Sequence, residues 1–272
     1  MTVIRPDHTI DQAWSAYSAH EHRIWKTLYE QQASMLPDRA CDAFLRGMVA
    51  LNLHQDGIPD FRRLNEDLSL LTGWRVVAVP GLVPDEVFFN HLAHRRFPAG
   101  RFIRKANQLD YLQEPDVFHD VFGHVPMLTD PVFADYMQAY GEGGLRAHRL
   151  DHLPHLARLY WHTVEFGLLQ TPAGLRIYGA GIVSSRLETL YALDDPAPLR
   201  LAFSLERVMR TPYRIDDLQP TYFVAPSLIA LLEATLQDFA GLYDRLACLP
   251  DIPIGQVIDE DIRFPPDVRA VA

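Results

Sequence analysis

Apolar residues recur at spacings of three and four along most of this chain, and prolines or glycines bound nearly every such run. Each run can put one apolar stripe on a short helix, which leaves little chain for long strands. Over 11–34 the spacing of Trp14, Tyr17, Ile24, Trp25 and Leu28 predicts a helix. A second is expected from Asp38, its cap, to about residue 54. A third covers GIPDFRRLNEDLSLLTG, with Pro59 in its first turn and Gly73 past its end. A fourth covers VPDEVFFNHLAHRRF, where Pro84, Asp85 and Glu86 suit a helix N-terminus. Further helices are expected over 115–123, ended or kinked by Gly123 and Pro126, and over DPVFADYMQAYGEG, closed by its glycines. The segment 150–170, SRLETLYAL and VAPSLIALLEATLQDFAGLYDRL complete the helical set. Strand character is confined to WRVVAVPG, to a hairpin in GLRIYGAGIVSS around Gly179 and Gly181, and to weak alternation over 212–224. RFIRKANQLDYLQ is mixed. The reading is one mostly α domain with small β elements over 1–272. It has a loose N-terminal tail over about 1–10 and an extended, proline- and acid-rich tail over about 251–272.

Composition narrows the function classes. The 272 residues are 48% apolar, enough for a sizeable core, and the formal net charge is −10. No lysine- or arginine-rich block stands out, so a nucleic-acid partner is not expected. The densest basic cluster, His94, Arg95, Arg96, Arg101, Arg104 and Lys105, is either a solvated face or a collector of a small anion. Two cysteines, Cys41 and Cys248, suit a reducing compartment. The N-terminal stretch has no secretory pattern, and no run nears 18 apolar residues, so the expectation is a cytoplasmic protein without a membrane partner.

The chemistry concentrates in FHDVFGH at 118–124. On a straight α-helix, residues five apart are separated by about 140°, a poor arrangement for chelation. A helix loosened at Gly123 would let His124 swing toward His119. A third ligand is sought at Glu165, which lies among Trp161, Val164, Phe166, Leu168 and Leu169. An ionised glutamate there costs several kcal/mol unless a cation or hydrogen bonds compensate it. His162 and Asp120 compete for that place. Equally, the histidines could be satisfied core residues and Glu165 could pair with an arginine. Two histidines and one carboxylate suit iron with open positions or a hydrolytic zinc, although the HExxH pattern is absent.

Three separated motifs then become specific. EPDVFHDVFGHVPML, YWHTVEFGLL and IYGAGIVSS occur in the order of the pterin-dependent aromatic amino acid hydroxylases, whose catalytic domain this chain resembles from about residue 35 to about 225, WRVVAVPGLVPDEVFF included. The form FHDVFGH is most similar to the bacterial members that act on phenylalanine. The resemblance implies Fe(II) held by His119, His124 and Glu165, with tetrahydropterin and O2 as co-substrates. It implies conversion of L-phenylalanine to L-tyrosine, tryptophan being the alternative substrate. Residue matching places Phe88 against the pterin ring, with backbone from Gly81 through Leu82 and Val83 to Asp85 along its edge. It assigns Arg104 to the substrate carboxylate, with Asp116 holding the guanidinium. Pro115 and Trp161 then flank the substrate ring, and Tyr111, Ser184 and Ser185 belong to the substrate pocket. Tyr160 and Glu188 match residues near iron and pterin. Two departures stand out: Leu112 replaces a threonine of the animal enzymes, and Arg186 replaces a bulky apolar residue. The length implies a monomer without a regulatory domain, served by a separate pterin-recycling system.

Overall fold

Short, locally capped helices dominate the computed structural model, which describes residues 3–54, 56–109 and 114–266. Ser18 and Glu21 cap each other's backbone reciprocally, so α1 (Ala19–Ala33) starts there, and Trp14–Ala16 forms a separate 3-10 turn. α2 (Asp42–Ala50) begins after Cys41 rather than at Asp38, whose φ of 64° is left-handed. Asp60 caps α3 (Phe61–Thr72), and Gly73 closes it at φ 77°. The mostly helical reading with small β elements holds; the departures lie in the short pieces.

β1 (Arg75–Val79), α4 (Asp85–Ala93) and β2 (Arg96–Gly100) form a parallel crossover unit with Arg75 opposite Arg96. The fourth helix therefore stops short of Phe97. Arg95 turns the chain at φ 53° and is anchored by Thr72 O, Gln138 and Asp135. α5 (Pro131–Arg149) runs straight through the glycines expected to end it. A Cβ on Gly141 would lie 2.4 Å from Ala93 N, and one on Gly144 2.0 Å from the Phe89 ring. These glycines let α4 and α5 approach closely.

The second half wraps a four-stranded sheet in the order β4-β3-β6-β5. α6 (Leu153–Tyr160) gives way near Glu165 to β3 (Gly167–Thr171), so the helix expected to residue 170 ends early. β3 pairs antiparallel with β4 (Gly174–Ile177), which moves the hairpin turn to Pro172-Ala173. Gly179 and Gly181 instead face the carbonyl of Glu165 and the ring of Phe166; Gly179 precedes α7 (Ala180–Val183), Gly181 lies within it and Ser184 follows it. After α8 (Arg186–Leu193), β5 (Leu199–Ala202) and α9 (Leu205–Met209) appear where no pattern was read. β6 (Thr221–Ala225) occupies only the end of the 212–224 alternation and runs parallel to both neighbours. The long last helix divides into α10 (Leu228–Ala234) and α11 (Phe239–Ala247), because Asp238 caps a new start.

Both tails are tied down over their described parts. Ile10 N–H donates to Ala78 O, and Ile10 is buried. Ala202 N–H donates to Ile262 O and Phe264 N–H to Arg200 O, so the C-terminal segment lies antiparallel along β5. Phe118 and Phe122 stack at 4.7 Å, with Trp25 edge-on to Phe118 and both Tyr29 and Phe44 edge-on to Phe122. This aromatic core backs the segment that carries both candidate histidines. Among the described residues no helix is long and apolar enough to cross a membrane.

Candidate metal centre

The five-residue spacing of the histidines is resolved by helix type. Phe118–His124 is π-helical, and an i→i+5 pattern returns residues five apart to the same side. His119 Nε2 and His124 Nε2 consequently lie 3.2 Å apart. Gly123 does not break the helix. A Cβ there would sit 2.9 Å from Ala180 O, so the glycine lets α7 pack against the π turn. α6 widens in the same way over Trp161–Glu165, and Phe166 N–H donates to Trp161 O, five residues back. That turn delivers Glu165, whose Oε1 is 3.2 Å from His124 Nε2 and whose Oε2 is 3.5 Å from His119 Nε2.

These three side chains are the metal-ligand cluster found among the described residues. Ligand atoms about 2.1 Å from one ion and at right angles to each other are separated by about 3.0 Å, close to the spacings here. Two imidazoles and a carboxylate on one face leave the opposite face of an iron ion open. Ser184 Oγ donates to Ala180 O at 2.7 Å and so accepts from His119 Nδ1 at 3.0 Å. This fixes the tautomer that turns the Nε2 lone pair toward Glu165 and His124. Burial alone would raise the Glu165 pKa, but the two imidazoles outweigh it and hold the carboxyl well below the usual range. For His119 burial pulls the pKa down, but the charge and hydrogen bond of Glu165 together with Asp120 and Asp116 outweigh it and raise the pKa, whereas for His124 burial wins and lowers it. An anionic carboxylate with a neutral imidazole is the donor set a divalent cation takes.

The competitors for the third place point elsewhere. His162 Nε2 donates to Thr211 O at 3.0 Å, and burial lowers its pKa to about 4. Asp120 Oδ2 accepts from Gly100 N–H at 2.7 Å. Burial pushes the Asp120 carboxyl up to about 7.

One cavity of about 230 Å³ contains all three ligands together with Gly81, Leu82, Val83, Asp85 and Phe88. Pro115, Asp120 and Tyr160 also line it. Two larger open depressions lie near the N-terminal segment and contain none of the triad. The Phe88 ring stands edge-on to Tyr160 at 5.7 Å, and Tyr160 lies over His124 at 6.2 Å. Arg104 and Asp116 form a buried two-pronged pair, Nε to Oδ2 at 2.8 Å and Nη2 to Oδ1 at 2.9 Å. Asp116 also accepts from the backbone N–H of Arg104 and of His119, which ties this arginine to the metal segment. Burial opposes the charge on Asp116, yet Arg104 and these donors hold its pKa down.

Other candidates fall outside that cavity's lining. Trp161 stacks on Tyr213, and Ser185 caps α8 by accepting from Glu188 N–H. Glu188 accepts from Tyr222 and from Gln219 N–H. Arg186 is exposed, and Tyr111 and Leu112 lie outside the described residues. Sequence reasoning missed Phe97, which packs on His124 at 4.8 Å, and Gly100, the partner of Asp120. Both sit on β2, which no pattern announced. It also missed Gln219, whose side chain accepts from Trp161 Nε1 at 2.9 Å.

The sequence matches the biopterin-dependent aromatic amino acid hydroxylases over residues 8–252. It is 68% identical over 257 residues to the phenylalanine-4-hydroxylase of Caulobacter vibrioides, covering 94% of this chain and 87% of that protein. It is 60% identical over 259 residues to the phenylalanine-4-hydroxylase of Ralstonia nicotianae, covering 95% of this chain and 83% of the relative. The crystal structure of Chromobacterium violaceum phenylalanine hydroxylase with bound oxidised Fe(III) superimposes with a TM-score of 0.93 at 56% identity, covering 95% of this chain and 94% of that one. The same enzyme bound to cobalt gives a TM-score of 0.93 at 55% identity, covering 95% and 93% of the two chains. With its sequence, its fold and a His-His-Glu cluster in agreement, the chain belongs to the biopterin-dependent aromatic amino acid hydroxylase family.

Proposed function

We infer that this chain is an Fe(II)- and tetrahydropterin-dependent phenylalanine 4-monooxygenase that converts L-phenylalanine and O2 to L-tyrosine. The observation that carries the reading is the meeting of His119, His124 and Glu165 in the cavity lined by Gly81, Leu82, Val83, Asp85 and Phe88. Bound iron and reduced pterin together supply the oxygen activation that protein side chains lack.

The chain's own residues supply ligation and position. His119, His124 and Glu165 hold the metal from one side, and Ser184 keeps His119 in the ligating tautomer. Phe88 offers a ring face to the pterin and the backbone of Gly81–Asp85 runs along its edge, while Tyr160 closes the wall beside His124. Arg104 takes the substrate carboxylate. Its guanidinium is already oriented by Asp116, so a bidentate contact costs little further ordering. Pro115 and Trp161 flank the aromatic ring, and Ser184 and Ser185 complete the pocket. Effective concentration follows from holding ring, pterin and metal side by side.

The protein acts as a monomer in the cytoplasm, supplied by a separate pterin-recycling system. One chain's triad and cavity need no second subunit, and the free thiols Cys41 and Cys248 suit a reducing compartment. Its 272 residues work as a single catalytic domain, consistent with the described parts of both tails lying on one core. The test is anaerobic loading with Fe(II), followed by L-phenylalanine, tetrahydropterin and O2. Tyrosine is expected from the iron-loaded protein and none from the zinc-loaded protein. Iron-loaded protein that oxidises no phenylalanine would overturn the reading.

A further inference from the structure

Glu188 carries a buried carboxyl that lies outside the lining of the metal cavity. Its Oε1 receives the hydroxyl of Tyr222 and, at 3.1 Å, the backbone N–H of Gln219. The Gln219 side chain is itself fully engaged. Its Nε2 donates to Arg214 O at 2.8 Å and Asp217 O at 3.2 Å, and its Oε1 accepts from Trp161 Nε1 at 2.9 Å. Tyr213, from the same loop, lies flat on the Trp161 indole at 4.4 Å and 16°. Three elements thus meet: α8 through Glu188, the loop before β6 through Gln219, and the π turn of Glu165 through Trp161.

We propose that Glu188 is a positioning residue: through Gln219 it fixes the Trp161 indole and so sets the enzyme's preference for a phenyl over an indole substrate. This rests on the reading that Trp161 flanks the substrate ring. A partly buried indole N–H needs an acceptor, and an acceptor held at both ends keeps the ring in one orientation. Glu188 serves as the fixed end of that chain. Burial raises its pKa to about 7, and Oε1 can accept both donors whether or not the carboxyl carries its proton. An amide oxygen can take the same two donors, whereas an alkyl side chain leaves Gln219 N–H and Tyr222 OH unpaired.

The experiment compares W161F, Q219L, E188L and E188Q in the iron-loaded enzyme. It reads the ratio of kcat/KM for phenylalanine to that for tryptophan, tyrosine formed per pterin oxidised, and Fe(II) affinity. Loss of the Gln219–Trp161 hydrogen bond, directly in Q219L and through loss of the Gln219 anchor in E188L, predicts that both variants lower the selectivity ratio and the coupling roughly fivefold to tenfold, with Fe(II) affinity kept within about twofold. E188Q should hold both within about twofold of the parent. If E188L does not fold, Q219L decides. If W161F shifts the ratio while Q219L and E188L leave it unchanged, positioning through Glu188 is overturned and the ring-pocket reading stands. If E188Q falls as far as E188L, the acceptor role is overturned. If W161F itself leaves the ratio unchanged, the ring-pocket reading fails and takes this proposal with it.

Discussion

At the scale of single residues, the centre depends on side chains that orient the ligands as much as on the ligands. Ser184 is bonded on one side to Ala180 O and on the other to His119, so it can only accept from the imidazole. Ser184→Ala removes the restraint on the tautomer and should weaken Fe(II) binding about 10- to 100-fold, measured by anaerobic titration. An unchanged affinity would show that the serine does not orient the ligand. His162 gives a separate pH signature. Its folded pKa is lowered to about 4 by burial, and Nε2 alone has a partner, since the buried Nδ1 has none. Above about pH 6.5 both states are neutral there, and as pH falls from 6.5 toward 4 only the unfolded chain takes up the proton. His162→Gln keeps a donor toward Thr211 and removes the titration. The parent should therefore lose on the order of 1–2 kcal/mol more stability than this variant between pH 7 and pH 5, read by urea unfolding at each pH. Equal losses in the two proteins would refute the assignment.

At the scale of elements, two π turns and one tight helix pair set the geometry. A sequence reader assuming 3.6 residues per turn finds the histidines misaligned and looks for a break at Gly123. The widening of FHDVFGH leaves no mark on its apolar periodicity, so the ligands were legible while the backbone that unites them was not. Glu165 was legible because a charge within an apolar run demands a partner. β2 and β5 escaped notice because four or five residues are too few for a periodic signal, and β2 carries the missed Phe97 and Gly100. The α5 glycines were read as a stop when they serve packing. Gly144→Ala would drive a methyl group into the Phe89 ring, 2.0 Å away. Overpacking of this kind should cost about 1–3 kcal/mol or more in denaturant unfolding. Because Phe89 adjoins Phe88, the KM for pterin should rise as well. A variant of parental stability would argue against close α4–α5 contact.

At the scale of the whole molecule, the C-terminal segment closes the fold over the sheet. Asp261 pairs with Arg207 at 2.9 Å with both side chains buried, and Arg207 also donates to Thr211, the residue whose carbonyl receives His162. The segment is thereby linked to the turn that bears Glu165, a role its proline-rich, acidic composition did not suggest. Asp261→Ala leaves the guanidinium buried without its carboxylate and should destabilise the protein by about 3–5 kcal/mol, measured by chemical unfolding. A loss below about 1 kcal/mol would mean that the segment is dispensable.

The central claim is that one ion joins two π turns from separate parts of the chain, and anaerobic Fe(II) titration of the parent beside Glu165→Gln tests it most directly. The parent is predicted to bind one Fe(II) per chain. The variant should bind more than about 100-fold more weakly, beyond the roughly 10- to 100-fold that follows loss of a supporting hydrogen bond. Parental affinity in the Glu165→Gln protein would contradict the account.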